Sequence, residues 1–216
     1  MAFLNDKTQN EVREMLAGLS GEVSLLLFTS EEDCMYCGET RQLLEEVSAL
    51  SDQLRLEIRD VVTDREVAEH YQVDKTPALV VQGVTDHGIR FYGIPSGYEF
   101  GSLLETIRLV GQNDPELTPE LTEKIGRITR PVHLQVFVTP TCPYCPQAVV
   151  AAHKLAMASE HIRADMVEAT EYPDLSRKYR VMGVPRTVVS EVDALEGAVP
   201  TEHLVEWLLS EVGVGA

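Results

Sequence analysis

Residues 132–145 read VHLQVFVTPTCPYC, and residues 23–37 read VSLLLFTSEEDCMYC. Each is an apolar run of strand length, rich in Val, Leu and Phe, that leads into two cysteines three positions apart. Cys34, Cys37, Cys142 and Cys145 are the four cysteines of the 216-residue chain. Moving outward from them, a shift of 108 residues brings Tyr71 onto Tyr179, Val73 onto Val181 and Pro77 onto Pro185. Val80 and Val81 fall on Val188 and Val189. Pro77 follows Cys34 by 43 residues, and Pro185 follows Cys142 by the same 43. A paired cysteine motif, a tyrosine and a proline in one register mark a duplicated unit.

Both halves read alike. A leading helix spans 11–19, with Val12, Met15, Leu16 and Leu19 at helical spacing, and its counterpart starts with Thr118 as N-cap and Pro119 at the first helical position. Buried strands cover 23–29 and 132–139. Helices follow the cysteines over 38–50 and 143–158. Second strands cover 54–60 and 162–168, and short helices end near Tyr71 and Tyr179. Apolar strands 78–82 and 186–190 follow the prolines, then a weaker strand and a closing helix with Leu103, Leu104 and Ile107, or Leu204, Val205 and Leu208. Alternating strands and helices make an α/β protein of two tandem units, each a mixed sheet flanked by helices. The polar stretch 111–119 (GQNDPELTP) is the joint, so the units are 1–114 and 115–216. Units of about 100 residues have modest cores, so the two are expected to pack together through one continuous sheet.

Two cysteines three apart at a helix start can bring their sulfurs together, with Cα atoms roughly 5–6 Å apart. The helix N-terminus offers free N–H groups and a positive dipole end, which favour thiolate over thiol. Cys34 and Cys142 are the expected exposed nucleophiles, and Cys37 and Cys145 the deeper resolving thiols. Pro143 and Pro146 are both expected in the first helical turn. Tyr36 and Tyr144 hold matching places between the cysteines, as surface aromatics or as substrate contacts. Thr76-Pro77 and Val184-Pro185, at equal distance from their cysteines, are expected to be cis. Such bonds would expose the backbone of Thr76 and Val184 to a substrate chain.

The order strand, CxxC, helix, strand, helix, cis-proline, strands, helix resembles the thioredoxin fold. Cys142-Pro143-Tyr144-Cys145 resembles the glutaredoxin tetrapeptide. Two such units, each with CxxC, resemble the glutaredoxin-like protein disulfide oxidoreductases, as does the stretch 90–100 (RFYGIPSGYEF). The resemblance implies thiol–disulfide exchange on protein disulfides with no cofactor beyond the redox-active cysteine pairs. It implies a thioredoxin-reductase-like flavoprotein as electron donor and a peroxiredoxin as a client. The buried acid that thioredoxin carries on the strand before its CxxC is missing. Leu25 and Leu26 stand there in one half, His133 and Leu134 in the other, so proton handling must differ. No Gly-Gly turn follows Pro185, which argues against tight glutathione binding.

Composition narrows the field further. The chain has 35 acids against 18 Lys and Arg, a net charge of −17. That disfavours nucleic acid and anionic membranes, both of which need cations. No apolar run reaches the roughly 20 residues of a membrane helix, and the start lacks a basic, apolar secretory leader. A cytoplasmic protein is expected. No metal is expected: the six histidines show no ligand spacing and read as surface or helix residues. A four-cysteine zinc site and a scaffold or chaperone without redox turnover are the competing readings. Trp207 is expected in the core, and Asp60 and Glu168 at solvated strand ends.

Overall fold

The computed structural model describes residues 3–32, 34–191 and 193–213. The first repeat holds α1 (Asp6–Leu16), β1 (Val23–Thr29), α2 (Cys37–Ser48), β2 (Leu54–Asp60), α3 (Arg65–His70), β3 (Ala78–Gln82), β4 (Ile89–Tyr92) and α4 (Glu99–Gln112). The second holds α5 (Pro119–Ile125), β5 (Val132–Val138), α6 (Cys145–Ala158), β6 (Ile162–Glu168), α7 (Pro173–Lys178), β7 (Arg186–Val189), β8 (Asp193–Glu196) and α8 (Thr201–Glu211).

Local chemistry explains most boundaries. The Thr118 side chain accepts from the Leu121 amide with Pro119 at the first turn of α5, as expected. Helix α1 starts earlier than 11–19, because the Asn5 side chain accepts from the Thr8 amide and caps it there. The apolar spacing marked its buried face, Val12 and Leu16, rather than its start. Helix α6 starts later than expected. The Cys142 amide donates to the Thr139 carbonyl, closing a turn that delays the helix to Cys145. Pro146 therefore lies in the first turn, while Pro143 stands ahead of the N-cap residue Tyr144.

The strands form one eight-stranded sheet in the order β2-β1-β3-β4-β6-β5-β7-β8. Strands β1 and β2 are parallel, β3 is antiparallel to β1 and β4, and the pattern repeats for β5 with β6, β7 and β8. The repeats join where β4 runs parallel to β6, pairing Ile89 with Ala164 and Tyr92 with Val167. Alternation along the strands divides the core in two. Leu25, Leu27, Phe91, Val136 and Met166 face a large cluster shared with α1, α2, α4, α5, α6 and α8. Leu26, Phe28, Tyr92, Phe137 and Val167 face a smaller one under α3 and α7. Parallel strands buried on both faces account for the near-continuous apolar runs in the sequence. Trp207 is only partly buried and packs on the rim of the large cluster.

The seam is polar at two depths. His153 of α6, fully buried, shares a 2.9 Å hydrogen bond with Thr106 of α4 and meets the Phe91 ring edge-on. Burial lowers its pKa to about 3, so it is neutral. On the other face, fully buried Asp165 is held by His133 at 2.6 Å and by Arg163 at 2.9 Å. His153 does lie on a helix and His133 is half-exposed, as the sequence suggested, but His153 is buried and both are tied into polar contacts near the joint.

Candidate active sites on one edge of the sheet

Strands β1, β4, β6 and β5 run the same way, so their C-terminal ends share one edge of the sheet. Both cysteine pairs follow there, after β1 and β5. The antiparallel β3 and β7 begin at that edge, each directly after its proline. Thr76-Pro77 and Val184-Pro185 are both cis, as expected. Three strands separate β1 from β5. Four inter-strand steps place the pairs roughly 19 Å apart along the edge.

Cys34–Cys37 and Cys142–Cys145 are disulfides, each with Cα atoms 5.5 Å apart. The first cysteine of each pair is the more accessible. Cys34 is half-buried above Cys37 at 8% exposure, and Cys142 has 7% against 0% for Cys145. Cys142 is therefore not the exposed thiol that the sequence suggested. Cys142 packs into the large apolar cluster, and the carbonyl oxygen of Val184, ahead of the cis bond, lies 3.8 Å from its Sγ. The Cys145 amide, at the start of α6, points at Cys142 Sγ from 3.1 Å. This free N–H at a helix N-terminus would stabilise a thiolate on Cys142.

Tyr36 and Tyr144 are exposed beside their cysteines, as is Met35. Sequence spacing missed two neighbours. Met182, two residues before Val184, is 92% exposed, and Tyr98 is also exposed on the loop ahead of α4. Exposed apolar side chains on the segments that carry the cysteines and lead to the cis-proline suit contact with a protein surface.

Each repeat also reaches into the other's site. Gly97 has φ +61°, and a Cβ there would lie 2.2 Å from the Pro140 carbonyl oxygen. The adjacent Tyr98 amide donates to that same oxygen at 2.9 Å. Loop and helix start are thereby pinned two residues from Cys142. Glu99, the first residue of α4, is 1% exposed, and its Oε1 has no partner. Burial pushes its pKa up to about 7 despite a hydrogen bond from Ser102. The first repeat thus carries a titratable carboxyl one residue after the Tyr98 contact with Pro140, while β5 itself carries none.

The reverse contact serves the first site. The Tyr172 hydroxyl donates to the Pro77 carbonyl at 3.1 Å, and the Ile94 amide donates to Glu171 Oε1 at 2.7 Å. Burial raises the Glu171 pKa to about 7 against that hydrogen bond, with Glu168 and Glu39 adding repulsion. Glu168 is 2% exposed, which overturns the solvated strand end expected for it. Its Oε2 accepts from Thr170 and from the Glu171 amide. Asp60 does keep a half-exposed end, capping the Val62 and Thr63 amides. Among the described residues, no group of three or more His, Cys, Asp or Glu is arranged to hold a metal ion. No helix among them is long and apolar enough to cross a membrane.

Residues 23–105 and 132–210 each match the family model described as a thioredoxin domain. The F component of the alkyl hydroperoxide reductase of Staphylococcus epidermidis is 25% identical over 184 residues, covering 85% of this chain and 33% of that protein. The chain therefore spans about a third of the length of the curated relatives it matches. A protein disulfide oxidoreductase from Aeropyrum pernix superposes with a TM-score of 0.91 at 27% identity, over 97% of this chain and 94% of the other. The NTD_N/C domain of alkylhydroperoxide reductase from Enterococcus faecalis superposes with a TM-score of 0.89 at 26% identity, over 95% and 100%.

Proposed function

The chain belongs to the thioredoxin domain family, carrying that domain twice, and on this premise we propose that it is a protein dithiol–disulfide oxidoreductase with two cysteine-pair sites. The observation that carries the reading is the pairing itself. Each CxxC stands bridged at a helix start beside a cis-proline, and at the second a backbone amide is aimed at the first sulfur.

In the reducing direction, the Cys34 or Cys142 thiolate attacks one sulfur of a substrate disulfide. A mixed disulfide forms, and the other substrate sulfur leaves as a thiolate that takes a proton. The Cys37 or Cys145 thiolate then attacks its neighbour's sulfur and releases the second substrate thiol. The substrate gains two electrons and two protons, and the protein is left with its disulfide. Run backwards, the same site oxidises a dithiol. Glu99 is the group we assign to proton exchange at the second site, with a pKa suited to that task near neutrality. Thr76, Pro77, Val184 and Pro185, with Tyr36 and Tyr144, form the proposed substrate-contact surface.

A reductase needs its cysteines restored, and a thioredoxin-reductase-like flavoprotein is the proposed electron donor. A peroxiredoxin is a proposed client. Both are in keeping with relatives that are components of an alkyl hydroperoxide reductase. The cytoplasm, where such a donor operates, is the proposed setting. We propose units 1–114 and 115–216, whose outer limits lie outside the described residues. Asn113 in the left-handed region after α4 and the Thr118 cap before α5 support that joint. A four-cysteine zinc site within one chain needs all the sulfurs about 2.3 Å from one ion, which pairs four strand positions apart do not supply.

Insulin reduction with dithiothreitol as donor tests the reading. Wild type is expected to accelerate it, with Cys34→Ser and Cys142→Ser each keeping part of the rate and the double variant silent. A wild-type rate no greater than dithiothreitol alone would sink it.

A further inference from the structure

A cleft of about 710 Å³ adjoins the first cysteine pair, and its walls come from both repeats. Met35 and Thr76 lie on the side of the first repeat, and residues 170–173 close it from the second. Resting on the oxidoreductase reading, we propose that this cleft is the substrate-recognition site of Cys34. It takes a disulfide-bearing polypeptide with Lys or Arg beside the cysteine. Glu171 sets that preference, and Tyr172 is a positioning residue acting through Pro77.

Charge selects the occupant. The cations of the cleft are neutralised in place, Arg65 by Glu69 at 2.7 Å and Lys75 by Asp74. Lys75 also covers the Tyr92 ring, 3.7 Å from its centre. Glu32 and Glu171 remain as carboxyls that form no ion pair among the described residues. Glu39 on α2 and Glu168 at the end of β6 add negative potential around Glu171, and the whole chain carries −17. A cationic side chain is what such a cleft rewards, and an acidic one is repelled. The volume suits several side chains of a polypeptide. Tyr172 ties the second repeat's wall to the first repeat's proline by its 3.1 Å hydrogen bond, and its ring stands edge-on to Tyr92. Substrate wall and sulfur are thereby held in one register.

Glu171 also makes the preference depend on pH. Its carboxyl ionises near pH 7, so the attraction is full at pH 8 and fades toward pH 6. Lys and Glu side chains of a peptide do not titrate in that range. The ratio of rates for two peptides cancels the titration of the thiol itself.

The test uses the reduced full chain carrying Cys142→Ser and Cys145→Ser, so that only the Cys34 pair reacts. Stopped-flow rates are measured with hydroxyethyl disulfide and with two peptide disulfides, one flanked by Lys and one by Glu. The Lys peptide is expected to react about fivefold faster at pH 8, with the ratio falling toward pH 6. Glu171→Gln should lower the ratio and flatten its pH dependence. Tyr172→Phe should slow both peptides severalfold and leave hydroxyethyl disulfide within about twofold. In the reciprocal Cys34→Ser, Cys37→Ser background, neither variant should alter the rates. Equal rates for the two peptides at pH 8, or equal effects of Glu171→Gln at both sites, would overturn the cleft assignment alone. No reaction of the Cys34 pair with hydroxyethyl disulfide would overturn the oxidoreductase reading at this site, and the cleft assignment with it.

Discussion

The hydroxyl of Tyr172 donates to the carbonyl oxygen of Pro77, 95 residues away and in the other repeat. The contact exists because β4 and β6 pair in parallel and carry the loops of both repeats to one edge. Each cysteine site is therefore flanked by residues of the other repeat. The Gly97 turn and the Tyr98 amide of the first repeat meet Pro140 beside the second site, and Glu171 and Tyr172 of the second repeat line the cleft beside the first.

Replacing the resolving thiol should trap the substrate. Cys37→Ser and Cys145→Ser, each reduced and mixed with a peptide disulfide, are expected to accumulate a mixed disulfide on Cys34 or Cys142. Intact-mass measurement and peptide mapping read the adduct. An adduct on neither first cysteine would reverse the assignment of roles within the pairs.

Glu99 should cost stability when ionised. Its folded pKa of about 7 lies above the ordinary 4.5. Below pH 4.5 the carboxyl is neutral in both states and costs nothing. Between 4.5 and 7 only the unfolded chain loses its proton, so stability falls as pH rises and the full penalty holds above 7. Glu99→Gln is expected to stabilise at pH 8 by on the order of 2–3 kcal/mol, and hardly at all at pH 4. Urea titration at the two values checks this. The same variant should slow the Cys142 pair at neutral pH and flatten its pH profile, leaving the Cys34 pair unchanged.

Asp165 works in the opposite sense. Burial alone would raise its pKa, but the hydrogen bond and charge of His133, with Arg163, hold it at about 2. Because the folded value lies below the ordinary 3.8, its stabilisation is full above pH 3.8 and lost as pH falls toward 2. Arg163→Ala would leave a fully buried carboxylate short of a partner and remove the donor to the Tyr92 hydroxyl. The expected loss is about 3–5 kcal/mol at pH 7, read by urea denaturation.

Two glycines, one just ahead of α4 and one within its first turn, should respond oppositely to alanine. Gly101 is helical, and an added methyl there would meet nothing within 4 Å, so Gly101→Ala should gain about 0.5–1 kcal/mol. Gly97→Ala meets the Pro140 oxygen at 2.2 Å and a left-handed backbone, and should lose more than that. Thermal melts order the two, and only Gly97→Ala is expected to slow the Cys142 pair.

The 108-residue repeat, both cysteine pairs, the matched prolines and the bounds of β1, β2, β3 and β6 were legible in the sequence. Their signals are local: apolar alternation over about seven residues, a three-residue cysteine spacing, a proline ahead of a strand. Helix starts were harder where a side-chain cap or a turn decided them, as at Asn5 and Thr139. Glu99, Glu171, Tyr172, the His133 pairing with Asp165 and the burial of His153 and Glu168 were not legible. Their burial and partners depend on residues up to 95 positions distant, brought together only by the order of strands in the sheet. Sequence by itself determined the chemistry of each site, because cysteines at a helix start carry their reactivity with them. Tertiary structure alone decided which carboxyls are buried and which tyrosine bridges the repeats, because a pKa and a wall are set by what packs nearby rather than by what comes next in the chain.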